Sequence, residues 1–259
     1  MSVTGISPVN CPPGTKLHIL NLGTLQADEG FLVRGGIQRR DLISIAVLIN
    51  RPHAGLVLFE TGCAEDIDTQ WGIPMTGVFP RTEYKEEHKL PNAIRKAGYD
   101  IGNVKGVIFG HLHVDHAGGL EHFMGTDVPI YVHELEFKLA CWAVATNADR
   151  GVYLANYLRS SRPFQAIALH HAPGHTPGLC IMQVNLEKDG TIICTTDQYH
   201  VKENHLDKVP QGWLAREHDD WVRSAAMVDK LQRLFNARLL YGHDKEVAEM
   251  SINEKAYFE

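Results

Sequence analysis

A chain of 259 residues, 44% of them hydrophobic, carries enough apolar material for one sizeable core. Its formal net charge of -6 argues against nucleic acid or an anionic membrane as partner. No run of about 18 apolar residues is present to cross a bilayer, and "MSVTGISPVNCPPGTK" lacks the apolar centre of a secretory leader.

In chain order, "KLHIL" (16–20) reads as a first strand. "ISIAVLIN" (43–50) and "GLVLFETG" (55–62) read as a hairpin across "RPHA". "LPNAIRKAGYD" is helical and stops near Gly98. "VKGVIF" (104–109) is a short buried strand, because β-branched and aromatic residues fill it. "VPIYVHELEF" gives another strand, and a helix is expected from Leu135 to about Val144. "FQAIALHHAPGH" is a strand running into a loop. "CIMQVNLEKDGTIICTTD" is a hairpin turning at Asp189-Gly190. "EHDDWVRSAAMVDKLQRLF" places Trp221, Ala225, Val228, Leu231, Leu234 and Phe235 on one helical stripe, which reads as core. "ARLLYGH" closes with a strand. Strands and helices alternate without a linker or a repeat, so residues 1–259 are expected to form a single layered α/β domain. The five cysteines, Cys11, Cys63, Cys141, Cys180 and Cys194, are odd in number, scattered and free of any CxxC pair. Reduced thiols and a cytoplasmic setting are expected.

Chemistry concentrates in "GHLHVDHAGG", where His111, His113, Asp115 and His116 follow the strand 104–109 between glycines. With 15 histidines in the chain some clustering is expected by chance, and a lone histidine is usually a surface or core residue. Three imidazoles and a carboxylate at one strand end are another matter, because a rigid sheet positions such a loop. In an extended segment His111, His113 and Asp115 share a side and His116 points elsewhere. One metal could take His111 and His113, and a second Asp115 and His116. The pattern recurs at later strand ends: "APGHTPG" carries His175, "CTTDQ" carries Asp197, and "LLYGHD" carries His243. Five histidines and two aspartates suffice for two metals with open positions.

These residues, in this order, resemble the metallo-β-lactamase superfamily. Within it, "PGHTPG" and "TTDQYHVKEN" are most similar to the dinuclear-zinc N-acyl homoserine lactonases and 4-pyridoxolactonases. The resemblance covers residues from about 16 to 244. It implies an αββα sandwich with two Zn2+ at one edge of the sheets. His111, His113 and His175 would hold one ion, Asp115, His116 and His243 the other, and Asp197 would bridge them. Two positions depart from the family pattern. Glu60 stands where the family carries a supporting aspartate, and His200 stands where the lactonases carry a tyrosine that contacts the substrate carbonyl, with Tyr199 just before it.

The expected reaction is opening of a small lactone by a hydroxide shared between two cations. Asp115 would orient the nucleophile and pass its proton to the leaving group, and His200 or Tyr199 would donate to the carbonyl oxygen. Hydrolysis of a γ-lactam or cyclic carbamate is the alternative, and a glyoxalase II-like thioesterase a weaker one, since no basic C-terminal region is visible. A di-iron redox module would carry glutamate where His113 stands, and a degenerate binding protein would lack a ligand. "EGFLVRGGIQRR", "WGIPMTGVFP" and "CWAVATNADRGVYLANYL" mix aromatic, aliphatic and polar residues, and read as lids over a small cyclic substrate. The competing expectation is that they pack on one another or form a homodimer interface.

Overall fold

In a computed structural model, residues 10–146, 148, 152, 153 and 167–259 are described. The chain opens with two long antiparallel strands, β1 (Lys16–Asp28) and β2 (Arg39–Arg51), followed by β3 (Gly55–Phe59). The first strand runs well beyond "KLHIL", since its partner "RRDLISIAVLINR" supplies backbone groups along its whole length. Two short helices, α1 (Ile67–Trp71) and α2 (Ile73–Val78), lead to β4 (Arg81–Glu83). Helix α3 (Leu90–Lys96) ends before Gly98 as expected, and β5 (Val104–Ile108) follows. The next elements are α4 (Val114–Ala117), β6 (Ile130–Tyr131) and α5 (Glu134–Thr146). The second half contributes β7 (Ile167–His171), β8 (Cys180–Leu186), β9 (Gly190–Thr196), α6 (Lys202–Leu206), α7 (His218–Phe235), β10 (Arg238–Tyr241) and α8 (Lys245–Glu254).

The strands form a six-stranded sheet in the order β4-β1-β2-β3-β5-β6 and a four-stranded sheet in the order β10-β9-β8-β7. Alternation along the strands sorts side chains between two faces. Val47, Ile49, Val57, Phe59 and Ile108 of the first sheet meet Met182, Val184, Ile192 and Leu240 of the second. The opposite face of the first sheet, with Leu20, Leu48, Leu58 and Val107, packs on Leu90, Ala93 and Ile94 of α3. Ile181, Ile193 and Leu239 of the second sheet pack on Trp221 and Val228 of α7. The result is the αββα order implied by the resemblance.

Three local expectations are corrected. The strand expected over "VPIYVHELEF" is only Ile130–Tyr131, because β6 pairs with β5 at two positions. Helix α5 already begins at Glu134, and acidic residues in its first turn suit the positive end of a helix. Leu234 lies off the buried stripe of α7 and is exposed, while Ala225, Leu231 and Phe235 stay packed on the core. Asp115 does not continue an extended run from His111 and His113, because α4 turns the chain at Val114. Of the third lid segment, residues 147, 149–151 and 154–158 lie outside the described residues.

All five cysteines are free. Burial pushes the Cys180 and Cys194 thiols up to about 12 and the Cys63 thiol up to about 11. A thiolate is the reactive form, so these three should react slowly in the folded protein. Thiol titration is expected to count five after denaturation without reductant, and clearly fewer fast-reacting thiols at pH 8 before it. A count of three or one after denaturation would reveal disulfides.

Candidate metal centre

The polar residues singled out in the sequence converge at one end of the two sheets. The segment after β5 delivers His111 and His113, and α4 delivers Asp115 and His116. The β7–β8 loop supplies His175, the end of β9 supplies Asp197, and the end of β10 supplies His243. Nitrogen and oxygen atoms of His111, His113, His175 and Asp197 all lie within 4.8 Å of one another, and so do those of Asp115, His116 and His243.

Asp197 joins the two groups through separate oxygens. Its Oδ2 is 3.6 Å from His111 Nε2 and 3.2 Å from His175 Nε2. Its Oδ1 is 3.4 Å from His116 Nε2 and 3.2 Å from His243 Nε2. The first group is completed by His113, whose Nδ1 is 3.2 Å from His175 Nε2. Asp115 Oδ2 completes the second, 3.7 Å from His116 Nε2 and 3.6 Å from His243 Nε2. Gly242 lets β10 come this close, because a Cβ there would sit 2.6 Å from Asp197 Oδ1.

The electrostatics suit cations. Burial, with neighbouring imidazoles adding to it, pushes His111 and His113 well below the ordinary histidine range. Burial likewise takes His175 down to about 3. Neutral imidazoles with lone pairs are what a metal requires. Burial opposes charge on His116, but Asp197, Asp115 and Glu60 together carry its pKa well above the usual value. Burial also disfavours the Asp197 carboxylate, yet His243, His116, His200 and His175 hold it well below the usual carboxylate range. His111 Nε2 and Asp197 Oδ1 are buried without a hydrogen-bond partner. Orphaned acceptors are costly in a folded core unless something binds them. The donor set of imidazoles and carboxylates fits divalent ions of the zinc type.

Supporting contacts fix which nitrogen faces inward. Glu60, in the left-handed region at φ 62°, accepts from Gly110 N–H at 3.0 Å and from the Thr196 hydroxyl at 3.2 Å. Its other oxygen is 3.4 Å from His116 Nδ1, which leaves Nε2 for the cluster. The longer side chain at this position therefore still reaches the imidazole it would support. His243 Nδ1 lies 3.2 Å from the Ile43 carbonyl, again turning Nε2 inward. Gln211 donates to the Asp197 and Gln198 carbonyls and steadies that loop. A second buried carboxylate, Glu136, bonds to Leu112 and Thr176. Neither Gln211 nor Glu136 carries a signal in the sequence, where both read as ordinary polar residues.

Tyr199 and His200 occupy different surroundings. Tyr199 is fully buried, packs on Trp221, Tyr241 and His205, and donates to the Ala225 carbonyl at 3.3 Å. Its ring and hydroxyl contacts among the described residues lie in the α7 core and not in the cluster. His200 touches the cluster, with Nε2 3.4 Å from Asp197 Oδ2, but it is equally buried. The neighbouring cleft is lined by His113, Asp115, Asp197 and His243 of the cluster and by the apolar Trp71, Met75 and Phe79. His200 is not among its lining residues, whereas Leu32 and Val152 from the other two lid segments are. Among the described residues no helix is long and apolar enough to cross a membrane.

Residues 39–243 match the family model described as the metallo-beta-lactamase superfamily. The chain is 30% identical over 204 residues to an N-acyl homoserine lactonase of Bacillus sp., covering 75% of this chain and 80% of that protein. An N-acyl homoserine lactonase of Bacillus thuringiensis is 29% identical over 240 residues, with 89% of this chain and 94% of that protein covered. A crystal structure of a B. thuringiensis AiiA mutant with N-decanoyl-L-homoserine bound at the active site superposes with a TM-score of 0.76 at 23% identity, covering 94% of this chain and 96% of that one.

Proposed function

The chain belongs to the metallo-β-lactamase superfamily, and from that membership we propose that it opens a small lactone ring by hydrolysis at a dinuclear zinc site. The observation that carries this reading is Asp197, whose two carboxylate oxygens face two separate sets of histidines. His111, His113, His175 and Asp197 would hold one ion. Asp115, His116 and His243, with the other oxygen of Asp197, would hold the second. Two divalent ions held there would supply Lewis acidity, acidifying water and drawing charge from an ester carbonyl.

The protein's own groups do the rest. Asp115 borders the cleft and stays partly exposed, so its carboxylate is placed to take a proton from the attacking water. It then returns that proton to the ring oxygen as the acyl carbon–oxygen bond breaks, giving a hydroxy acid. Trp71, Met75 and Phe79 exclude water and hold the apolar part of the substrate. The relatives named as N-acyl homoserine lactonases make an acylated lactone the first candidate.

A zinc-loaded sample assayed on lactones, γ-lactams, cyclic carbamates and thioesters tests the proposal. Lactones are expected to have the highest kcat/KM, with two zinc ions per chain by elemental analysis. Preferred turnover of lactams or carbamates would assign the site to amide chemistry, and less than one metal per chain after zinc supplementation would remove the dinuclear mechanism.

A further inference from the structure

We infer that Glu136 is a positioning residue that sets the three-histidine half of the metal centre and not the other half. The inference rests on the dinuclear reading above. Glu136 stands in the first turn of α5, is completely buried, and belongs to none of the candidate ligand groups. Three donors converge on its carboxylate. Oε1 accepts from the Leu112 backbone N–H at 3.0 Å and from the Tyr153 hydroxyl at 3.1 Å. Oε2 accepts from the Thr176 hydroxyl at 2.6 Å.

Each donor is attached to a histidine of the same half. Leu112 lies between His111 and His113, and Thr176 follows His175. The Tyr153 ring packs edge-on against His113, with centroids 5.0 Å apart. One acceptor-only group thus ties together two loops that are remote in sequence and carry all three imidazoles. Burial raises the pKa of Glu136, and the hydrogen bonds from Thr176, Leu112 and Tyr153 oppose that rise. Gly178 permits the arrangement, since a Cβ there would sit 2.2 Å from the Glu136 nitrogen. By contrast, none of the side-chain hydrogen bonds of Glu136 among the described residues goes to Asp115, His116 or His243. Outer groups that orient metal ligands typically matter about 10- to 100-fold in metal affinity.

The test uses Glu136→Met, which fills the space without accepting a hydrogen bond, and Thr176→Val, which removes one arm at nearly constant volume. Wild-type and variant proteins are loaded with zinc and then exposed to a graded competing chelator, with zinc per chain as the readout. In Glu136→Met one ion should leave at roughly 10- to 100-fold weaker chelation than in wild type, while the second is retained as before. Thr176→Val should show the same split with a smaller displacement, and the double variant should add little to Glu136→Met. The melting temperature of the metal-free proteins separates this from a purely structural role, which would lower stability without splitting the two ions. Loss of both ions together, or release curves matching wild type, would overturn the inference while leaving the dinuclear reading intact. If Glu136→Met does not fold, an unsplit curve in Thr176→Val overturns it alone. A wild-type protein that retains no zinc would instead remove the dinuclear reading, and the inference with it.

Discussion

Asp197→Asn is expected to lower kcat/KM for the preferred lactone by about a thousandfold or more, with the fold retained. The size follows from the geometry, because each carboxylate oxygen faces a different histidine set. The amide keeps one oxygen and replaces the other with an NH2 that cannot ligate, so one of the two proposed cations would lose its shared ligand. The anionic charge held among the imidazoles is also lost. When a group serves both ions of a two-metal site, Lewis acidity and water activation fall together. The fold should survive because the surrounding loop is held by other contacts. Gln211 donates to the backbone carbonyl of Asp197, and the Gly242 and His243 N–H groups bond to the Tyr199 and His200 carbonyls at 3.0 and 2.8 Å. Steady-state kinetics, zinc content and far-UV circular dichroism should be read on the same sample. Turnover near wild type with two zinc ions retained would show that Asp197 does not serve both.

His200→Ala and Tyr199→Phe are expected to separate cleanly. His200 lies against Asp197 beneath the cleft, so its loss should act through the metal centre. A fall of about 10- to 100-fold in kcat/KM is expected, accompanied by weaker zinc retention. If His200 instead donated directly to the carbonyl oxygen, kcat and kcat/KM would fall together by roughly 10- to 1,000-fold with zinc affinity unchanged. Zinc retention therefore decides between the two. Tyr199→Phe removes a hydroxyl that bonds to the Ala225 carbonyl and lies beside the Asp229 carboxylate, both away from the cluster. It should leave kcat within about twofold and reduce stability by about 1 kcal/mol, the usual net worth of such a bond. A large loss of kcat in Tyr199→Phe at unchanged stability would return the substrate contact to Tyr199.

Much of the chemistry was legible along the chain because the relevant residues follow apolar runs at strand ends. His111, His175 and His243 each follow a glycine, Asp197 follows the end of β9, and His113 and His116 lie in the segment bounded by Gly110 and Gly118; a sheet brings such strand ends together. The layer order was legible only through the family resemblance; the structure adds that alternation in "ISIAVLIN" and "CIMQVNL" turns one face to the facing sheet and the other to a helix. What the sequence could not decide depends on neighbours that are remote in the chain. The reach of β1 to Asp28 is set by β2, and the brevity of β6 by its two-residue pairing with β5. Glu136 and Gln211 look like surface polar residues until tertiary packing removes their water and supplies donors or acceptors. Adjacent in sequence, Tyr199 and His200 give no local sign of their separation, because the chain bends after Thr196 and sends one ring into the α7 core and the other under Asp197. Sequence by itself determined which residue types could hold two metals, since ligand chemistry is local to each side chain. Only the tertiary structure decided which oxygen of Asp197 faces which histidines, and which of Tyr199 and His200 reaches the cluster, since those are distances between segments that meet only in the folded chain.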